Sequence, residues 1–320
     1  MRCHRNLIVV VCAALTMATA AAADYPVRPI RVLVLNTPGS GADIVTRLIA
    51  NSLTDALKQQ VVVDNRPGAS GNIGAEMAAR AAPDGYTLLM ITSQQPIVTA
   101  MYGKLGYDLI RDFVPINLVA TAPYFLVVHP SVAATTIKEL VVVAKSKPGQ
   151  LHYGSAGSGS SPHLATELLK HMAGIDLLHV PYKGTTPALT DTMAGQIQVT
   201  VLVAPLVMPM VKAGKVRALG VTSLKRSALA PEIPTVAETL PGYEWIGWYG
   251  LVAPAGTPAG IIVRLNAEQL KMLKTAEFSE RLAGLGAEPL GTTPQEYGVH
   301  MRTQLAKMRE AIRISGARPD

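Results

Sequence analysis

Apolar runs of two different periods alternate along the first ninety residues, and this alternation limits the fold more than any other feature. "IRVLVLN" (30–36) is short, apolar and rich in β-branched residues. It is followed by "TPGSGAD" and then by Ile44, Val45, Leu48, Ile49, Leu53 and Leu57 at helical spacing. "VVVDN" (61–65) reads as a second strand and "GNIGAEMAARAA" as a second helix. Pro83-Asp84-Gly85 is a turn into a third strand, "YTLLMIT". Consecutive parallel strands need a crossover between them, whereas antiparallel ones need only a hairpin. Strand–helix–strand–helix–strand therefore predicts an α/β fold, a mostly parallel sheet flanked by helices.

The rhythm restarts after "FLVVHP" (125–130). "LHYGSAG" gives a strand and loop, "SPHLATELLKHM" a helix, "LLHVPY" a strand, "TPALTDTMAG" a helix and "VTVLVAP" a strand. "VMPMVKAG" is a short helix before "VRALGVTS". "GLVAPAGTP" and two helices near 258–274 and 294–314 make a tail expected to add no strand and to pack back on the first unit. The predicted organisation is a discontinuous first domain, 24–122 plus 228–320, and a second domain, 123–227. Chain crossings near 120–125 and 225–246 would leave a cleft that can hinge.

The cleft loops are nearly bare. Gly154 to Ser161 are all Gly, Ala or Ser, and "PGSGA" ends the loop at 38–42, with Asp43 in the next helix's first turn. Four helices are expected to start with a hydroxyl N-cap before Pro: Ser161-Pro162, Thr186-Pro187, Thr257-Pro258 and Thr293-Pro294. The last adds Glu296, a capping box. In α/β sheets ligands sit beyond the carboxyl ends of the strands, where helix N-termini present unpaired N–H groups and partial positive charge. Both loops occupy such places, so an anion is expected there, a carboxylate held by backbone and hydroxyl donors. Asp43 and Arg47 form either a surface i,i+4 pair or a cleft group in which Asp43 accepts from ligand or water. Lys183 is the basic residue nearest a cleft loop, and a solvated role fits it better. His163, in its helix's first turn, is read as a positioning donor.

Arg2, His4 and Arg5, an apolar stretch from Leu7 to Leu15 and "ATAAAADYP" have the layout of a secretory signal peptide, residues 1–23, cut after Ala23. Cys3 and Cys12 are the only two cysteines and both lie within it, so disulfides, thiolate catalysis and Cys-ligated zinc are excluded from the mature chain. Cleavage leaves 27 basic residues against 22 acidic, a net charge of +5 rather than +7, scattered without a basic stripe. Nucleic acid is therefore not an expected partner. The histidines lack metal spacing, no cofactor is expected, and "PGSGADI" is a weak match to the dinucleotide fingerprint. No serine in "GSAGSGSS" has glycines at both −2 and +2, so the hydrolase elbow is missing. A serine hydrolase using Ser158 or Ser160 with His163 stays as an alternative.

"PGSGADIVTRLIA", "VVVDNRPGASGNIGAEMAARAAPDGYTLL", "YDLIRDFVPI", "KPGQLHYGSAGSGSSPHLATELLK", "HVPYKGTTPALTDTMAGQI" and "GWYGLVAPAGTP" follow one another along the chain. Together they resemble the extracytoplasmic substrate-binding proteins of tripartite tricarboxylate transporters, the Bug family. That resemblance implies a two-domain Venus-flytrap fold without enzymatic activity. It also implies a periplasmic location and delivery of a small carboxylate (di- or tricarboxylate, amino acid or aromatic acid) to membrane transporter components by a monomer. A ligand sensor for a signalling partner is the alternative role. Carried over from the resemblance, the ligand contacts are Ser40, Gly41, Ala42 and Asp43, then Ser155, Ala156, Gly157, Ser158 and Gly159, with Thr92, Ser93, Thr185 and Thr186. The chain departs from the family pattern at Leu35, Asn36 and Ser40 in "LNTPGSG" and at Gln198 in "AGQIQ".

Overall fold

The computed structural model describes residues 25–228 and 230–318 of the chain. The expected signal peptide, with both cysteines, lies outside them. The first unit runs β1 (Ile30–Val34), α1 (Gly41–Leu57), β2 (Val61–Asn65), α2 (Asn72–Ala79), β3 (Thr87–Thr92) and α3 (Gln94–Met101). β1 pairs in parallel with β2 and β3, Val32 standing between Val63 and Leu88. Alternate strand residues feed two cores. Val32, Val34, Leu88 and Met90 pack with α1 on one face, while Leu33, Leu89 and Ile91 pack with Ala75 and Ala78 of α2 on the other. A parallel sheet covered on both faces needs such continuous apolar runs.

β4 (Phe113–Val128) then carries the chain into the second unit. It pairs with β9 (Ile246–Pro254) from Phe113 to Pro123, and with β7 (Val199–Val203) and β8 (Arg217–Val221) from Tyr124 to Val128. The exchange of partners falls at Pro123, a residue with no N–H to give a ladder. The second unit holds α4 (Ile137–Ser146), β5 (His152–Ser155), α5 (Ser161–Ala173), β6 (Leu178–Pro181), α6 (Thr185–Met193), β7, α7 (Ala204–Lys212) and β8, with β5 parallel to β6 and β7. Among the described residues, every antiparallel pairing involves β4 or β9.

Several expectations change. The tail does supply a strand: β9 sits between β3 and β4, because its Trp248, Leu251 and Val252 are core residues rather than loop. α8 (Ala259–Leu273) and the terminal helix match the two expected segments; α9 (Ala276–Gly284) and the two-residue β10 (Glu288–Pro289) lie between them. The terminal helix, α10 (Pro294–Ser315), does not pack on the first unit alone. Tyr297 and Met301 enter the first unit's core and Met308 enters the second's, so this helix straps the two together. Residues 228–245, assigned to the first unit, pack with the second through Ile233, Val236, Tyr243 and Trp245.

Of the four predicted caps, Thr293 with Glu296 forms the capping box. The α5 cap is Ser160, one residue before Ser161. Thr186 lies inside α6, which starts after Gly184, and the Thr257 hydroxyl donates back to Pro254 O instead of capping α8. Pro at the second or third helical position is equally free of an N–H requirement, so the Pro signal is loose by a residue or two.

Thr222 pins both crossings. It is fully buried; its hydroxyl accepts the Tyr124 N–H (2.9 Å) and donates to the Trp245 carbonyl (2.5 Å). Thr222→Val keeps the shape but leaves both backbone groups unpartnered. It is expected to lower stability by about 1–3 kcal/mol, read as a lower urea midpoint with unchanged slope.

Candidate ligand-binding site

A cavity of about 110 Å³ lies between the two units. Four helix starts converge on it: Ser40, Gly41 and Ala42 of α1, Ser93 and Gln94 of α3, Ser160, Ser161 and Pro162 of α5, and Thr185 of α6. Its floor is the crossing itself, with Tyr124 from β4 and Gly247, Trp248 and Tyr249 from β9. No Lys, Arg or His lines it. The first N–H groups of each helix have no intrahelical partner and carry the positive end of the helix dipole. Hydroxyls of Ser40, Thr92, Ser93, Ser160, Ser161 and Thr185 stand among them. Burial pushes the Tyr249 phenol well up, with Tyr124 adding to it. Burial also raises Tyr124, against the pull of hydrogen bonds with Ser161 and Ser93. Both phenols therefore stay protonated and can donate. The arrangement offers an anion many neutral donors and no formal countercharge.

Local sequence explains how the first loop is set. Ser40 is the N-cap of α1, its hydroxyl accepting the Asp43 N–H at 3.3 Å. Asp43 is 2% exposed and faces the protein, not the cavity. It accepts from Gly39 N (2.9 Å), Arg47 Nε (3.0 Å) and Asn65 Nδ2 (3.0 Å), so it ties the loop to α1 and β2. Burial alone would raise this carboxyl. The bonds from Arg47, Gly39 and Asn65 outweigh it and hold the group below its ordinary range. The two readings of Asp43 thus resolve into a third: the i,i+4 pair exists, and its purpose is to shape the loop.

The second loop departs from expectation. The Gly157 N–H donates to Ser155 Oγ (3.1 Å) and the Gly159 N–H to His163 Nδ1 (2.9 Å), so these two amides are spent within the loop. Ser155 is fully buried, 2.6 Å from His179 Nε2. His163 accepts where a donor was expected. Of the residues carried over, Ser40, Gly41, Ala42, Thr92, Ser93, Ala156 and Thr185 line the cavity. Asp43, Ser155, Gly157, Gly159 and Thr186 do not. Ser158 faces an adjoining outer chamber of about 480 Å³, which Lys183 also borders and which shares Asn36, Gln94, Ala156 and Ser160 with the inner one.

Sequence reasoning missed the crossing residues Tyr124, Gly247, Trp248 and Tyr249, and the bridging Gln94. The continuous apolar and aromatic run "IGWYGLVAP" was a usable signal of a buried strand for the β9 residues. Gln94 had no such signal: its Nε2 donates to Gly159 O (3.2 Å) and its Oε1 accepts the Ser161 N–H (3.1 Å), a clasp between units visible only in three dimensions. Gly41 shows how tight the space is. A Cβ there would meet Tyr249 Oη at 3.0 Å and Val203 at 3.5 Å. These groups form no nucleophile–base pair open to substrate: Ser155, beside His179, lies off the cavity, and the His163 Nδ1 lone pair is occupied by the Gly159 amide. Among the described residues there is no cluster suited to a metal ion, and no helix is long and apolar enough to cross a membrane.

A family model described as a tripartite tricarboxylate transporter family receptor matches residues 45–316. The chain is 39% identical over 290 residues to the UPF0065 protein of the tcbD-tcbE intergenic region of Pseudomonas sp. (strain P51), spanning 90% of this chain and 86% of that one. It is 34% identical over 304 residues to Protein BugT of Bordetella pertussis, spanning 94% and 93%. Among solved structures, R. palustris Rpa4515 with adipate matches with a TM-score of 0.89 at 36% identity, over 93% of this chain and 100% of that one. The periplasmic binding protein BugD gives 0.85 at 33%, over 92% and 100%. MatC from Rhodopseudomonas palustris with bound malate gives 0.82 at 30%, over 90% and 100%.

Asp43→Asn removes the charge that three donors share and is expected to cost about 1–3 kcal/mol at neutral pH. Because the folded carboxyl titrates below its ordinary value near 3.9, the wild-type advantage is complete above that value and fades as pH falls through the folded one. Urea midpoints of the two proteins should therefore differ at pH 7 and converge below about pH 4.

Proposed function

This chain belongs to the tripartite tricarboxylate transporter receptor family, and we propose that it is a periplasmic solute-binding protein that captures a small carboxylate between its two lobes. The single observation behind this reading is the convergence of four helix starts and two protonated phenols on one cavity without a basic side chain. A carboxylate is compact enough for such a donor set and carries the charge that the helix ends favour. The related proteins seen with adipate and malate bind acids of this kind. The lobes divide at Pro123–Tyr124 and Trp245–Ile246, where β4 and the return strand change units. The ligand contacts are taken to be Ser40, Gly41, Ala42, Thr92, Ser93, Ala156 and Thr185, joined by Gln94, Ser160, Ser161, Tyr124 and Tyr249.

Capture works by closure. The Gln94 clasp already links the lobes, and an acid bridging α1 and α5 would add bonds that exist only when they are together. The closed monomer then presents its cargo to membrane transporter components, with no chemical step. A serine hydrolase is disfavoured by the occupied His163 lone pair. Handing the closed form to a signalling partner instead would use the same site.

A panel of carboxylates should raise the melting temperature, a true ligand at 100 times its Kd adding about 2.7 kcal/mol. If neutral sugars shift it and no acid does, the reading fails. Gly41→Asp places a tethered carboxylate at the first position of α1, within the donor set, where it competes with the ligand's own acid group; the acid-induced shift should vanish while circular dichroism shows the fold retained. Gln94→Ala removes both clasp bonds and should weaken acid binding roughly tenfold by calorimetry.

A further inference from the structure

Beneath the glycine–serine loop three rings form a stack. His163 and His179 lie 4.2 Å apart between centroids and within 6° of parallel; Tyr153 stacks on His179 at 4.8 Å. Each imidazole touches the loop. The Gly159 N–H donates to His163 Nδ1 at 2.9 Å, and Ser155 Oγ lies 2.6 Å from His179 Nε2. A backbone N–H can only donate, so His163 Nδ1 bears a lone pair and the ring is neutral in this conformation. The Gly159 carbonyl, in turn, accepts from Gln94 of the other lobe. An imidazole state is thereby connected, through one residue, to the bond that holds the lobes together. Gly159 has a φ of +69°, which glycine adopts without strain, and a Cβ there would run into Met101 of the first lobe.

We infer that His163, stacked on His179, is a positioning residue that makes ligand capture proton-linked: the binding loop and its clasp to Gln94 form when the His163 ring is neutral and loosen when its Nδ1 takes up a proton. This rests on the carboxylate-capture reading for its consequence, not for its geometry. A proton on His163 Nδ1 replaces the acceptor of the Gly159 N–H with a second donor, and the loop amide turns away. A second proton on the pair sets two cations face to face across the stack, which disfavours it further. Tyr153, Glu167 and Lys170 are titratable groups beside the stack. Tyr153 is pushed well up by burial and by Glu167, to which its hydroxyl donates at 2.6 Å, so it stays neutral. Glu167 is itself paired with Lys170 at 2.8 Å, and Lys170 Nζ lies 5.5 Å from the Tyr153 ring. A protonated Nδ1 and this loop bond exclude each other, so acidification that protonates the ring loosens the loop and deprotonation restores it. A bound acid would act the other way, favouring an imidazolium by attraction, so the direction of the effect is itself a test.

The ligand-free protein gives the first measurement. The Gly159 amide proton should be protected from exchange at pH 8 and at least tenfold less protected at pH 5 once intrinsic rates are divided out. His163→Asn, whose side-chain oxygen can replace the Nδ1 acceptor but does not titrate, should be equally protected at both. Equal protection of the wild type at both pH values overturns the inference, and so does a variant with the wild type's pH dependence. In a second measurement malate is titrated into both proteins at pH 5.5 and 7.5. The wild-type ratio of Kd values should exceed the variant's about tenfold, the acid's own protonation cancelling between them. Equal ratios, or tighter wild-type binding at low pH relative to the variant, overturn it. If malate and a wider acid panel bind neither protein, the carboxylate reading fails while the exchange measurement still decides the histidine switch.

Discussion

One strand running through two sheets is the constraint on which the rest depends. β4 pairs with β9 on one side of Pro123 and with β7 and β8 on the other, so the lobes are two ends of a continuous hydrogen-bonded ribbon rather than beads on a linker. The return crossing is pinned to it through Thr222, and the terminal helix crosses behind, with Tyr297 and Met308 buried in different cores. A flexible linker would let the lobes wander. Two pinned strands and a strap join them at one place, which is where Tyr124, Trp248 and Tyr249 form the cavity floor.

That floor accounts for the chemistry of the site. Burying an ion is costly unless its lone pairs are met, and a buried lysine or arginine would need its own desolvation. Here the donors are backbone amides at helix starts, serine and threonine hydroxyls and phenols that burial keeps protonated. None carries a formal charge, so no lining side chain brings a counter-ion requirement of its own. The charged residues of this region are used one layer back. Asp43, with Arg47 and Asn65, shapes the first loop; the histidine stack, backed by Tyr153, Glu167 and Lys170, shapes the second. The two lobes solve the same problem differently: a carboxylate accepts the loop amide of Gly39 in one, and an imidazole accepts that of Gly159 in the other.

The α/β pattern was legible because apolar period and glycine punctuation are local. "VVVDN" is β2 residue for residue, and α1, α5, α8 and the terminal helix follow from their apolar spacing, the last also from its capping box. The bare loops identified the two faces of the cleft, and Ser40, Gly41, Ala42, Thr92, Ser93, Ala156 and Thr185 do meet there. What local pattern could not give was the direction of each amide. Gly157 and Gly159 look like ideal anion donors in sequence, yet their N–H groups turn to Ser155 and His163, because a loop must satisfy its own polar groups first. The partners of β9, which lies over a hundred residues from both β3 and β4, were equally out of reach.

Taken alone, the sequence determined the periods, the turns and the absence of cysteine beyond residue 12, because each is read from the residues themselves and their near neighbours. Only the tertiary structure decided which hydroxyls and amides face the cavity, that Gln94 links the lobes, and that two histidines sixteen positions apart stack under one loop. Those outcomes depend on contacts between segments whose relative placement is set by the shared strand and the packing of two cores, and no local pattern encodes them.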